Sequence, residues 1–172
     1  WGDSNAAHYL GILGKIAEKY DFAIRNLEIG ACPPLLENVE PYSKLERVKD
    51  CQRSSGASKL AFEQHETIII GGSWTKYLDH ADSFLSDFTT MVAQLSAAGK
   101  TIILLGKIPV IPSHDRYCRE KALSTPWLVC EVEDVPVSAE VAYVNQYLQD
   151  YAAKTTNVWY FDVTKVLCPD FS

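Results

Sequence analysis

Thr67-Ile68-Ile69-Ile70-Gly71-Gly72-Ser73-Trp74 is the stretch on which the fold turns. Four uncharged, mostly β-branched residues without polar alternation read as a strand buried on both faces. The glycine pair after them opens a loop in which backbones can approach closely. Thr101–Leu105 repeats the pattern and runs into Gly106-Lys107-Ile108-Pro109-Val110-Ile111-Pro112, and Val158–Phe161 repeats it again. Helical periods lie between. Ala6–Tyr20 places Tyr9, Leu10, Leu13, Ile16, Ala17 and Tyr20 on one stripe. Tyr42 to His65 reads as helical with an interruption at Ser54-Ser55-Gly56. A helix capped by Asp79 or Asp82 continues to Ala98 and stops at Gly99, and Ser138 caps one that reaches Ala153. Phe22–Ile29 predicts a further strand, Cys32-Pro33-Pro34 a loop, and residues 113–137 irregular chain.

Strands alternating with helices predict an α/β domain: three layers, α/β/α, around a mainly parallel sheet, with residues 1–172 as one domain. In such sheets the site lies at the carboxyl ends of the strands. The loops Gly2–Asn5, Gly71–Trp74 and Gly106–Pro112 should therefore converge. A strand running into Gly2 would be central, yet only Trp1 of it is present. The expectation is a truncated domain lacking most of its first strand.

The formal charge of −6 and the lack of a Lys/Arg cluster argue against a nucleic-acid partner. No apolar run reaches the length that spans a bilayer. Five cysteines fit no zinc spacing, and neither a metal nor a cofactor is expected. An oxidising compartment suits them, with Cys32–Cys51 closing one loop and Cys118–Cys130 another, leaving Cys168 over. Reduced core cysteines are the alternative.

The chain opens Trp1-Gly2-Asp3-Ser4-Asn5-Ala6-Ala7-His8. Ser4 falls at a strand-to-helix turn, where unpaired N–H groups can stabilise an anion beside its hydroxyl. It reads equally as a helix cap. Asp3 reads as structural, bonding backbone at the turn, and Asp162 as closing a turn at a strand end.

With these loops in place, the sequence resembles the SGNH (GDSL-like) hydrolase superfamily. Within it, the likeness is to the extracytoplasmic SGNH domain fused to acyltransferase-family-three membrane proteins. The resemblance rests on Trp1–His8, Ala31-Cys32-Pro33-Pro34-Leu35 with Cys51, Ile69–Trp74, and Phe161-Asp162-Val163-Thr164 to Leu167-Cys168-Pro169. Asn5 and Ser73 depart from its pattern, standing where it tends to have His and Arg. The resemblance implies a flavodoxin-like fold and Ser4 as nucleophile. It also implies an acyl donor, a surface-polysaccharide acceptor, a covalently linked membrane acyltransferase domain and a periplasmic setting. It places the catalytic Asp-x-x-His after the Leu-Cys-Pro segment, so the general base is expected beyond residue 172, and this fragment alone is expected to be inactive.

A serine nucleophile needs a base and preorganised oxyanion donors. The candidate donors are the Ser4 N–H, an N–H of Gly72-Ser73, and the Trp74 indole if it points inward; core packing is the alternative for Trp74. Of the histidines, His8 lacks the usual opposed geometry, His65 and His80 sit at helix ends, and His114 lies on a loop. The reading is an O-acyltransferase acting through Ser4. A carbohydrate acetyl esterase and a non-catalytic carbohydrate-binding module are the alternatives.

Overall fold

Among the described residues, three parallel strands form the sheet in the order β1 (Thr67–Ile70), β2 (Thr101–Leu105), β3 (Val158–Phe161). The computed structural model describes residues 1–78, 81–108, 115, 117–130 and 137–167, with backbone only at 81, 82, 166 and 167. Asp79, the Asp82 side chain, His80, His114, Cys168 and the Pro109–Pro112 stretch lie outside that description. All three predicted apolar runs are strands. Their register pairs Ile68 with Ile102 and Ile70 with Leu104, then Ile102 with Val158 and Leu104 with Tyr160.

Pleating sends alternate residues to opposite faces. Ile68, Ile70, Ile102, Leu104 and Val158 face the larger core. They meet Phe62 of α3 (Val48–Gln64), Phe84, Phe88 and Val92 of α5 (Ala81–Ala97), and Val144 and Leu148 of α7 (Ala139–Lys154). Ile69, Ile103 and Leu105 face a smaller cluster with Tyr9, Leu13, Ile108 and Val163. Helices flank the sheet as expected, but unevenly. Helix α2 (Leu10–Tyr20) buries no residue fully, and Trp159 stays 66% exposed.

Four expectations need correction. The helix read over Ala6–Tyr20 is two, α1 (Ser4–Ala7) and α2, because the chain breaks where Tyr9 turns inward and its hydroxyl donates to the Gly106 carbonyl. Helix α3 passes through Ser54-Ser55-Gly56 unbroken. The Ser55 hydroxyl is turned inward there, held at 2.7 Å by the Leu35 carbonyl. Within the stretch read as irregular lies α6 (Cys118–Ala122), inside the Cys118–Cys130 loop. Finally, Phe22–Ile29 is not a strand; only Glu28 bridges, to Gly2. Residues 22–27 and Thr67–Ile69 line one apolar cleft with Trp1 and Phe62, leaving the 22–27 backbone no ladder partner.

Ser138 caps α7 by accepting from the Val141 amide, and Asp162 closes the turn into α8 (Thr164–Leu167) by accepting from Thr164 N at 3.0 Å. Both predicted disulfides are formed, Cys32–Cys51 and Cys118–Cys130.

Candidate active site

The carboxyl ends of the strands gather the loops that the sequence singled out. Gly2 lies between Glu28 and Gly71, bridged in parallel to both. Gly71 N donates to the Trp1 carbonyl and Ile29 N to the Gly2 carbonyl, each at 3.0 Å. Gly2 has φ +145°, and a Cβ there would stand 1.7 Å from the Gly71 carbonyl oxygen. No side chain fits that approach.

Asp3 follows, 1% exposed, and caps α1. One carboxylate oxygen accepts from Asn5 N at 2.8 Å. The other accepts from Ser73 N at 2.8 Å and from the Tyr77 hydroxyl at 2.7 Å. This single side chain fastens the Ser4 turn to the loop after β1, seventy residues away. Burial, reinforced by the Asp3 charge and its hydrogen bond, raises the Tyr77 phenol far above its ordinary value, so it remains a donor. The structural reading of Asp3 stands, with a longer reach than its own turn.

Because Asp3 is the cap, Ser4 is not. Ser4 is the first residue of α1 and is exposed. Neither its hydroxyl nor its amide bonds any described residue. Beside it lies a residue that the sequence reading missed. A side chain on Gly30 would stand 4.0 Å from Ser4 Cβ and 3.9 Å from Glu28 Oε1. The Gly30 amide donates to no described residue, while its carbonyl accepts from Arg47 Nη2 at 3.2 Å. Ala31 adopts φ +65°, and Cys32–Cys51 ties the same turn to α3. The available signal was a glycine at the end of the predicted Phe22–Ile29 strand, just before Cys-Pro-Pro.

The candidates after β1 separate by what their N–H groups already do. The Ser73 amide is held by Asp3. Trp74, on α4 (Trp74–Tyr77), is 1% exposed. Its indole N–H donates to the Leu105 carbonyl at 2.8 Å and its ring meets Phe88 edge-on. The core-packing alternative therefore holds for Trp74, and its indole is not an oxyanion donor. The Gly72 amide bonds no described residue. Three unengaged amides, of Ser4, Gly30 and Gly72, thus lie on the loops around the serine.

After β2, the Lys107 amide donates to Asn145 Oδ1 at 2.6 Å and its carbonyl accepts from Asn145 Nδ2 at 3.0 Å. Lys107 Nζ donates to Asn5 Oδ1 at 2.6 Å. All three loops therefore meet. Of the histidines, His8 ends α1 without a bond to Ser4, and His65 lines the cleft at the amino end of β1, a strand's length from the serine. Among the described residues, no group of His, Cys, Asp and Glu could hold a metal, and no helix is long and apolar enough to cross a membrane.

A family model described as the SGNH domain (fused to AT3 domains) matches residues 1–172. No curated protein and no solved structure matches the chain.

Proposed function

Because the chain belongs to the family of SGNH domains fused to AT3 domains, we propose that it is the acyl-transfer domain of a membrane-linked O-acyltransferase, with Ser4 as nucleophile. Membership supports a hydrolase- or acyltransferase-like role and a link to a membrane acyltransferase domain. The finer reading is acetyl transfer to a hydroxyl of bacterial surface polysaccharide on the periplasmic side. One observation carries it: an exposed serine, released from capping by Asp3, stands among loops whose amides at 4, 30 and 72 have no described acceptor. Unengaged amides around a hydroxyl are what a tetrahedral oxyanion requires.

In the proposed reaction the Ser4 hydroxyl attacks the acyl carbonyl and its proton passes to a base. The tetrahedral adduct collapses, the bond to the donor's leaving group breaks, and the leaving group takes that proton. A sugar hydroxyl then attacks the acyl-serine and gives its proton to the base. The C–Oγ bond breaks and Ser4 recovers the proton. Removing one oxyanion donor typically raises such barriers by about 2.7–4 kcal/mol. The base is a histidine outside the described residues, in the Asp-x-x-His pair that the resemblance sets after the Leu-Cys-Pro segment. Water in place of sugar gives the esterase reaction with the same machinery.

The test is Ser4→Ala in the full-length protein, measuring acetylated polysaccharide and released acetate together. The expected result is loss of both with unchanged protein level. Acetylated sugar without free acetate in the wild type assigns transfer, and the reverse assigns hydrolysis. Normal acetylation by Ser4→Ala refutes the nucleophile and leaves the binding-module reading.

A further inference from the structure

Lys107 is only 9% exposed, and its Nζ forms no ion pair with a described carboxylate. Among the described residues its hydrogen bond runs to Asn5 Oδ1 at 2.6 Å, on the residue directly after Ser4. An ammonium has donors and no acceptor, so only the oxygen end of the Asn5 carboxamide can face it. The NH2 end must then point away from Lys107, and it bonds no described residue. The lysine is itself fixed. Asn145 of α7 takes both its backbone N–H and its carbonyl, at 2.6 and 3.0 Å.

We propose that Lys107 is a positioning residue that orients Asn5, so that the Asn5 Nδ2 group donates a hydrogen bond to a substrate oxygen beside Ser4. This rests on the acyl-enzyme reading of Ser4 and adds to it a side-chain donor, set by a contact between residues 102 positions apart. Asn145, on the element that covers the far strand, is the outermost member of the relay. Burial lowers the Lys107 pKa while the Asp3 charge opposes that shift, which is the electrostatic setting of a cation enclosed near a carboxylate. That setting also supplies the rival account, in which Lys107 only balances Asp3.

The test is a double-mutant cycle on acyl transfer in the full-length protein, with Lys107→Met, Asn5→Ala and the combination, alongside Asn5→Asp, Lys107→Gln and a Ser4→Ala control. Losing a donor to a charged or developing-charge oxygen lowers kcat/KM about ten- to hundredfold. Lys107→Met and Asn5→Ala should each fall in that range, and the double variant should be no worse than either. Asn5→Asp keeps a partner for Lys107 but has no N–H, so it should match Asn5→Ala. Lys107→Gln removes the charge and brings an acceptor, so it no longer dictates which end of Asn5 faces it and should fall with Lys107→Met. Charge balancing alone predicts multiplicative losses in the double variant. Multiplicative losses in the double variant, a wild-type rate for Asn5→Asp, or a wild-type rate for Lys107→Gln would each overturn the proposal. If Lys107→Met does not accumulate, the Asn5→Asp and Lys107→Gln results decide. Full activity in Ser4→Ala would instead mark failure of the underlying acyl-enzyme reading.

Discussion

Replacing Asp3 with asparagine exchanges a single heavy atom and should loosen the whole site. The carboxylate accepts from Asn5 N, Ser73 N and the Tyr77 hydroxyl, all within 2.8 Å, in a position 1% exposed. Asparagine keeps the shape but turns one oxygen into an NH2 donor. Whichever way the amide lies, one backbone N–H, of Asn5 or of Ser73, then faces another donor. An unsatisfied group of that kind costs about 1–3 kcal/mol. The bonds that survive lose their charge assistance, which accounts for roughly half the strength of each. Together these losses come to about 3–5 kcal/mol, a large share of the roughly 5–15 kcal/mol that holds a domain folded. Urea denaturation of the purified protein, followed by tryptophan fluorescence with buried Trp74 as the main reporter, measures the difference. The midpoint should fall with the slope unchanged. A loss below about 1 kcal/mol, less than a single unsatisfied donor, would refute the reasoning that Asp3 joins the two loops.

Tyr77→Phe should flatten the alkaline limb of stability. The folded phenol holds its proton above the ordinary value of 10.0, where the unfolded chain releases it. The unfolded state then binds fewer protons, so stability is full below pH 10.0 and falls above it, by about 1.4 kcal/mol per pH unit for this group. Tyr9, raised to about 12 chiefly by burial, acts in the same direction and is left in the variant. Removing the Cys32–Cys51 bridge, 19 residues apart, should cost about 3 kcal/mol in urea denaturation on the loop-entropy account. It should also lower activity at saturating substrate, because the Gly30–Ala31 turn beside Ser4 loses its tie to α3. Non-reducing peptide mass spectrometry should recover Cys32 linked to Cys51 and Cys118 linked to Cys130.

The sheet was legible because Thr67–Ile70, Thr101–Leu105 and Val158–Phe161 are short apolar runs that only a covered sheet can use. Phe22–Ile29 mixes apolar residues with Arg25, Asn26 and Glu28 and fails as a strand, since a ladder depends on the neighbouring backbone and residues 22–27 face a cleft. Ser54-Ser55-Gly56 reads as a break by propensity. In the fold, Ser55 is buried and bonded to the Leu35 carbonyl, and tertiary packing overrides the local preference. Ser4, Asp3 and the glycine loop could be found locally. What Asp3 and Trp74 bond to could not, because Ser73 and Leu105 lie 70 and 31 residues away. Lys107 was hidden for another reason: a lysine in a loop rich in proline reads as a solvated charge, and only packing shows it enclosed against Asn5.

The central claim is that an acyl group rests on one hydroxyl. Incubating the full-length protein with acyl donor but no acceptor, quenching in acid and sequencing its peptides by mass spectrometry tests this most directly. The account predicts one acetyl group on Ser4, discharged when acceptor is added and absent from Ser4→Ala. Acceptor acetylated at the normal rate with no modification of Ser4 at any time point would contradict it.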